Sequence, residues 1–404
     1  MTSKASRPIR ENSALEIFVI FLRLGLTSFG GPVAHIGYFR ACFVRQLGWF
    51  DDNRYAYIVA LCQFLPGPTS SQVGIAIGHS KAGITGALAA WFGFTAPSAL
   101  IMIACGYGMV AYSDIVPIGA LHGLKIAAAA IVAHALAGMA KSLTPDLERI
   151  ILAGICALCV SVISHPAMQM VLIISGGLYG LLRPISSVVS DIPIGVRSFS
   201  ELKVDFGQRQ IACLFVFFGL LFGLPLIATS LTSQTLTLID GFFRSGSMVF
   251  GGGHVVLPLL HTELVPQGLV THETFLAGYG TAQAIPGPLF TFAAYLGTTI
   301  DGIAGGLICL IAIFVPSFLL VIGMLPVWEA ISAYSRMKHI LWGVNASVVG
   351  LLLAAFISPV LTSAIQDLFD AIFAGALFFS LQLFNRSPVL IVSVAAIAGS
   401  LLSL

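Results

Sequence analysis

Two arginines stand where arginine is rare. Arg23 lies in the run Phe21-Leu-Arg-Leu-Gly-Leu-Thr-Ser-Phe-Gly-Gly31, and Arg244 in Phe242-Phe-Arg-Ser-Gly-Ser-Met-Val-Phe-Gly-Gly252. At an offset of 221 the runs share Phe21/Phe242, Arg23/Arg244, Gly25/Gly246, Phe29/Phe250, Gly30/Gly251 and Gly31/Gly252. Each is an apolar stretch of helix length that carries one arginine and is halted by glycines. In a bilayer an arginine at helix depth costs about 2.5 to 3.5 kcal/mol on insertion scales, so each is a functional candidate. The guanidinium fork suits carboxylates and tetrahedral oxyanions, and the repetition argues against chance.

A second pair of motifs follows at an offset of 220: Gln63-Phe-Leu-Pro-Gly-Pro68 and Gln283-Ala-Ile-Pro-Gly-Pro288. The apolar runs flanking the first, 55–65 and 69–79, are each about half of a bilayer span, so they read as a re-entrant hairpin with its tip at membrane depth. Such broken backbone is tolerated only inside protein or beside a watery cavity. Helices that start after Gly31, Pro68, Gly252 and Pro288 present free N–H groups and the positive dipole end. The candidate anion site therefore comprises Arg23, Gly30, Gly31, Gln63, Pro66, Gly67, Pro68 and Thr69 from one half, and Arg244, Gly251, Gly252, Gln283, Pro286, Gly287 and Pro288 from the other. Lys125 and Asn345 occupy matched positions in later spans and join the candidates. Lys125 reads equally as an interfacial anchor. His134 is able to titrate near neutral pH and couple protons, or to be a satisfied, hydrogen-bonded side chain. The plainer readings are that glycines pack helices, prolines kink them, and Arg23 snorkels toward the cytoplasm. Pairing weighs against those.

With 404 residues, 57% hydrophobic and 9% charged, and a mean hydropathy of +0.98, the chain is an all-α polytopic membrane protein. The polar first thirteen residues show no cleavable signal peptide, so the mature chain is expected to keep its N-terminus. Seven cysteines sit in apolar runs as small hydrophobes, and Cys156-Ala-Leu-Cys159 lacks a second ligand pair. There is no HExxH, Walker lysine, GxSxG or acidic metal cluster, so neither enzyme, cofactor nor metal is expected. Transport must then run on ion gradients or membrane potential.

The elements needed to position these motifs follow in order. Spans are predicted at about 84–111, 118–141, 149–164, 168–183 and 209–230, then again at 302–325, 340–362, 371–384 and 388–404. Further repeat marks are Gly83/Gly302, Gly86/Gly305, Pro97/Pro316 and Ser98/Ser317 at an offset of 219, and Gly123/Gly343 at 220. The reading divides the chain into a repeat at 1–183, a polar cytoplasmic linker at 184–208, one extra span at 209–230 and a second repeat at 231–404. The loop 40–54 carries Arg40, Arg45 and Arg54, whereas its counterpart 254–273, read as a polar loop, carries Glu263 and Glu273 and no lysine or arginine. By the positive-inside rule the matched loops lie on opposite faces, giving two inverted-topology repeats with broken, re-entrant helices. The N-terminus and the 40–54 loop are expected in the cytoplasm, and the C-terminus in the periplasm. No Asp or Glu is read as lying at membrane depth in the hairpin pairs, so the expected driving force is the potential acting on an anion.

Phe29-Gly-Gly-Pro-Val-Ala-His-Ile36, Gln63-Phe-Leu-Pro-Gly-Pro68, Phe250-Gly-Gly-Gly-His254 and Gln283-Ala-Ile-Pro-Gly-Pro288 closely resemble the signature stretches of the chromate ion transporter family, over essentially the whole chain. The resemblance implies a two-domain, multi-pass carrier of the bacterial inner membrane. It implies export of chromate, with resistance as the outcome and sulfate as a look-alike competitor. The residues alone leave open a sulfate or other oxyanion exchanger and an anion channel. The expected partners are the oxyanion and the lipid bilayer, with no nucleic acid and a homodimer left open.

Overall fold

The computed structural model describes residues 13–111, 118–163, 166–182, 207–231, 233–250, 252–328, 335–384 and 386–402. The candidate Gly251 and most of the expected linker lie outside them. The first half contains α1 (Ala14–Thr27), α2 (Gly31–Phe39), α3 (Asp52–Phe64), α4 (Thr69–Ala111), α5 (Ile118–Leu143), α6 (Leu147–Val162) and α7 (Pro166–Leu182). The extra span is α8 (Gln208–Leu231). The second half contains α9 (Gln234–Met248), α10 (Val256–Leu264), α11 (His272–Ala284), α12 (Phe292–Met324), α13 (Ser335–Ala355), α14 (Leu368–Phe384) and α15 (Pro388–Leu402). Among the described residues five helices are long and apolar enough to cross a membrane.

Local sequence sets these boundaries. Ser13 caps α1 by accepting from the amide of Glu16, the Ser-x-x-Glu pattern of a capping box. Asp51 caps α3 through the Arg54 amide, and its repeat mate Thr271 caps α11 through that of Thr274. The stretch 254–273 is not a loop: a turn at Gly253–Val255 runs into α10, which ends only at Leu264.

Helix α4 is two helices joined by a tight turn at Ala82 (φ −143°) and Gly83 (φ 59°); α12 breaks alike at Asp301 (φ −142°) and Gly302 (φ 62°). A positive φ suits glycine, which explains why this pair persists at matched positions. The short segment before each turn folds back on the long one. There Gly78 meets the Gly86 carbonyl and Gly297 that of Gly305, so close that a Cβ would strike backbone.

The halves exchange their later helices. Helix α5 packs on α14 and α15, and its mate α13 packs on α6 and α7. Gly123 sits on the carbonyl of Ala395, and Gly343 on that of Gly176, the small-residue contacts that let membrane helices approach closely. His122 Nε2 meets Asp370 Oδ1 at 2.9 Å and His134 Nδ1 meets Gln382 Oε1 at 2.9 Å, both pairs 248 residues apart. That common separation makes α5 and α14 parallel.

Candidate functional site

The two Pro-Gly-Pro tips cross at the junction of the halves. The Gly67 amide donates to the Val249 carbonyl at 2.7 Å, and the Gly287 amide donates to the Ser28 carbonyl at 3.0 Å. Ser28 and Val249 follow the ends of α1 and α9, so each tip is tied to the broken end of the arginine-bearing helix of the other half. Each tip also seats on the other half's Pro-Ser kink. A Cβ on Gly67 would fall 2.8 Å from Ser317 Oγ, and one on Gly287 would fall 2.7 Å from Ser98 Oγ.

Three helix starts meet here. Gly253, opening the turn into α10, is in contact range of Pro32 at the start of α2 and Leu289 at the start of the turn into α12: a Cβ there would lie 3.5 and 3.6 Å from them. Thr69, the first residue of α4, follows the Pro66-Gly67-Pro68 tip directly, and Gln72 Nε2 fastens that tip by donating to the Pro66 carbonyl at 2.6 Å. Around the crossing, the hydroxyls of Ser28, Ser71, Thr95 and Ser317 have no hydrogen-bond partner among the described residues, although these residues are 0 to 2% exposed. Buried polar groups are nearly always partnered, so four orphaned hydroxyls beside convergent helix starts require an explanation. Hydroxyl donors and free helix-start amides are what a tetrahedral oxyanion accepts from.

The arginines differ. Ile17, Phe21 and Gly25 form the buried face of α1, with Gly25 against the carbonyl of Phe94. Arg23 is two residues from both Phe21 and Gly25, on the opposite face, and is exposed without an ion pair among the described residues. Helix α9 is instead packed by α8, α10 and α12. There Arg244 Nη2 donates to Asp240 Oδ2 at 2.5 Å and to Glu263 Oε2 at 3.3 Å. Carboxylates thus do stand beside one arginine-bearing hairpin, contrary to the sequence reading. The Asp240/Arg244 spacing of four was the available signal; Glu263 was hidden by assigning its segment to a loop. Arg244 is enclosed by its own helix, α10 and α7, which supply Asp240, Glu263 and Gln169 around it.

The remaining candidates are dispersed. Gln63 is exposed and makes no described hydrogen bond. Its mate Gln283 lies with Nε2 3.3 Å from His254 Nδ1, and the buried Tyr279 hydroxyl lies 2.7 Å from the same nitrogen. Gly30, Gly31 and Gly252 line the helix breaks, with Gly252 3.7 Å from Met139 Sδ as measured from an added Cβ. Pro66, Pro68, Pro286 and Pro288 frame the tips. Lys125 is buried in α5 within electrostatic range of His272, and Asn345 is half-buried in α13. His134 is the hydrogen-bonded partner of Gln382.

Sequence reasoning missed a second polar region. His261 Nε2 and His272 Nδ1 lie 3.2 Å apart with stacked rings and border a cavity of about 310 Å³, together with Gln169, Thr262 and Ser358. They occupy the positions of Arg40 and Asp52, whose ion pair (2.8 Å) joins the corresponding segments of the first half. No group of three or more metal-binding side chains occurs among the described residues.

The chain is similar to several known proteins. An uncharacterized transporter of Methanocaldococcus jannaschii is 28% identical over 366 residues, 88% of this chain and 87% of the relative. A chromate transport protein of Pseudomonas aeruginosa is 26% identical over 391 residues, covering 94% and 90%. A probable chromate transport protein of Synechococcus elongatus is 26% identical over 386 residues, covering 94% and 93%. No solved structure matches. The family described as Chromate transporter matches residues 15–181 and 236–400, one stretch in each half, and the chain belongs to that family.

Proposed function

We propose that this protein is a secondary transporter that carries chromate out of the cytoplasm across the inner membrane, conferring chromate resistance, and that the anion binds where the two tips cross. The observation that carries the reading is the set of buried hydroxyls without partners among the described residues, Ser28, Ser71, Thr95 and Ser317, near convergent helix starts. Chromate is a tetrahedral dianion with four acceptor oxygens. Helix-start amides and neutral hydroxyls hold such an ion without locking it in place, and the guanidiniums of Arg23 and Arg244 supply countercharge along its path.

The parallel register of α5 and α14 supports inverted repeats. Helices α5 and α6 are joined by three residues, so where both cross the membrane they run in opposite directions. Helix α14 is the repeat mate of α6 yet runs parallel to α5. Mates that point opposite ways are what inversion requires. An inside-negative potential of about 100 mV then favours export by about 2.3 kcal/mol for each net negative charge that crosses.

Uptake of radiolabelled chromate and sulfate into everted membrane vesicles tests the proposal. Accumulation of chromate against its gradient is expected, and it should fall when valinomycin and potassium collapse the potential. Equilibration without accumulation would instead identify an anion channel, and accumulation of sulfate alone a sulfate carrier.

A further inference from the structure

The cluster at Arg244 contains one more carboxylate than the guanidinium neutralises, and anion binding by itself gives no use for it. Asp240 is the closer partner at 2.5 Å, and Glu263 the looser at 3.3 Å. The charge of Arg244 acts on both carboxylates, and that of Asp240 on Glu263. Among neighbouring elements, α8 brings Arg209 at its exposed start, α12 brings Asp301 at its exposed turn, and His261 on α10 faces His272 instead. Beside the cluster lies a second, small cavity of about 20 Å³, lined by Arg244, Ser245, Glu263 and Gln169. Three of its polar atoms, Arg244 Nε, Ser245 Oγ and Gln169 Oε1, are buried without a partner, and Ser245 and Gln169 are only 2% and 3% exposed. A volume of that size with several polar partners suits one water molecule. Gln169 also borders the 310 Å³ cavity and donates to Thr262 Oγ1 at 3.1 Å. Gln169 therefore borders both the small cavity at the cluster and the larger one.

We propose that Glu263 is a proton-binding site linked to the oxyanion, so that a proton on Glu263 and an anion at Arg244 occupy the protein together. This rests on the anion-carrier reading above and adds the coupling ion to it. With both carboxylates ionised the cluster is net negative, its guanidinium is engaged twice, and a dianion is repelled. A proton taken up by one Glu263 oxygen neutralises the cluster and weakens the longer bond to Arg244. The guanidinium then keeps Asp240 as its counter-ion, with Nε and the released Nη2 hydrogen free to donate to the anion. Linkage is reciprocal, so anion binding strengthens proton binding by the same factor. Glu263 fills the role in place of Asp240 because the shorter charge-assisted bond is harder to give up. Proton and oxyanion then travel in the same direction.

The test uses purified full-length protein in a weakly buffered solution with a pH-indicator dye, alkaline enough that chromate stays a dianion. Bound radiolabelled chromate is measured by equilibrium dialysis, with sulfate as a parallel probe. The expected result is uptake of about one proton per oxyanion bound by the wild-type protein, with uptake abolished in Glu263→Gln. Binding of chromate with no proton uptake by the wild-type protein overturns the inference and leaves the carrier reading intact, and so does full uptake by Glu263→Gln. If the wild-type protein binds neither oxyanion, the carrier reading falls and takes the proton site with it. The wild-type stoichiometry decides even where Glu263→Gln fails to fold.

Discussion

The amide of Gly67 donates to the carbonyl of Val249 at 2.7 Å, so the hairpin tip of the first half is fastened to the broken end of α9 in the second. Gly287 and Ser28 repeat the arrangement with the halves exchanged. Neither tip can shift without pulling on the helix that carries the other half's arginine. In the proposed carrier, which must expose its site to one face at a time, this reciprocal fastening would couple the two sides of that motion.

Gly67→Ala and Gly287→Ala are expected to impair folding and transport to a similar degree. Their φ values, 130° and 103°, lie in a region that costs an L-residue about 1 to 2 kcal/mol. The added methyl also meets Ser317 Oγ in one case and Ser98 Oγ in the other. Combining Gly287→Ala with Ser98→Gly removes the hydroxyl contact and should recover part of the loss. Thermal unfolding in detergent alongside vesicle flux checks this; a Gly287→Ala protein with wild-type stability and flux would show that the seat is loose.

Ser71→Ala, Thr95→Val and Ser317→Ala separate structural from functional hydroxyls. None of the three hydroxyls has a partner among the described residues, so removing one should leave stability unchanged or slightly raised. A hydrogen bond to a charged group is worth about 1.5 to 3 kcal/mol, so each hydroxyl that contacts the anion should cost at least about tenfold in chromate affinity when removed. Equilibrium dialysis and unfolding curves on the same preparations give both numbers. Loss of stability with unchanged affinity would assign these hydroxyls to the scaffold.

Much of this arrangement was legible in the chain because a repeat writes its geometry twice. Gly83 and Gly302 mark one turn, the two Pro-Gly-Pro motifs mark one tip, and Pro97-Ser98 and Pro316-Ser317 mark the seats. What the repeat does not share was hidden. Asp240 and Glu263 correspond to Val19 and Cys42, so comparing halves gave no reason to place carboxylates at Arg244. The pairing of His261 with His272 depends on α10 being helical, whereas its sequence, broken by Pro258 and bounded by glycines, reads as a loop. The orphaned hydroxyls could not be read at all, since absence of a partner is a property of packing between elements distant in sequence.

The proposed inversion of the halves predicts opposite labelling of matched segments. Gln46 and Gln267 are both exposed, one beyond α2 and the other beyond α10. After replacement of the seven cysteines, single cysteines at these positions should react with an impermeant thiol reagent from opposite faces of oriented vesicles. Position 46 is expected on the cytoplasmic face, because the segment around it, helical over Arg40–Gln46 and again from Asp52, carries Arg40, Arg45 and Arg54. Labelling of both from the same face would remove the inverted repeat.

The two arginines should fail in different ways when replaced. Arg244 is the only described cation within reach of Asp240 and Glu263, so Arg244→Ala strands two buried carboxylates. Breaking a buried pair by removing one partner typically destabilises by about 3 to 5 kcal/mol, and the protein should be recovered poorly. Pairing Arg244→Met with Asp240→Asn and Glu263→Gln removes the stranded charge and should restore folding without restoring transport. Arg23 makes no described ion pair and packs on the exposed side of α1, so Arg23→Ala should fold normally. Its transport should nevertheless fall, because an unpaired cation in an apolar helix has its use in meeting an anion. Arg23→Lys keeps the charge and loses the fork, and if the fork matters it should remain well below wild type at equal protein level by blot. A fully active Arg23→Ala carrier would assign this arginine to helix anchoring and leave the tip crossing and Arg244 as the whole of the site.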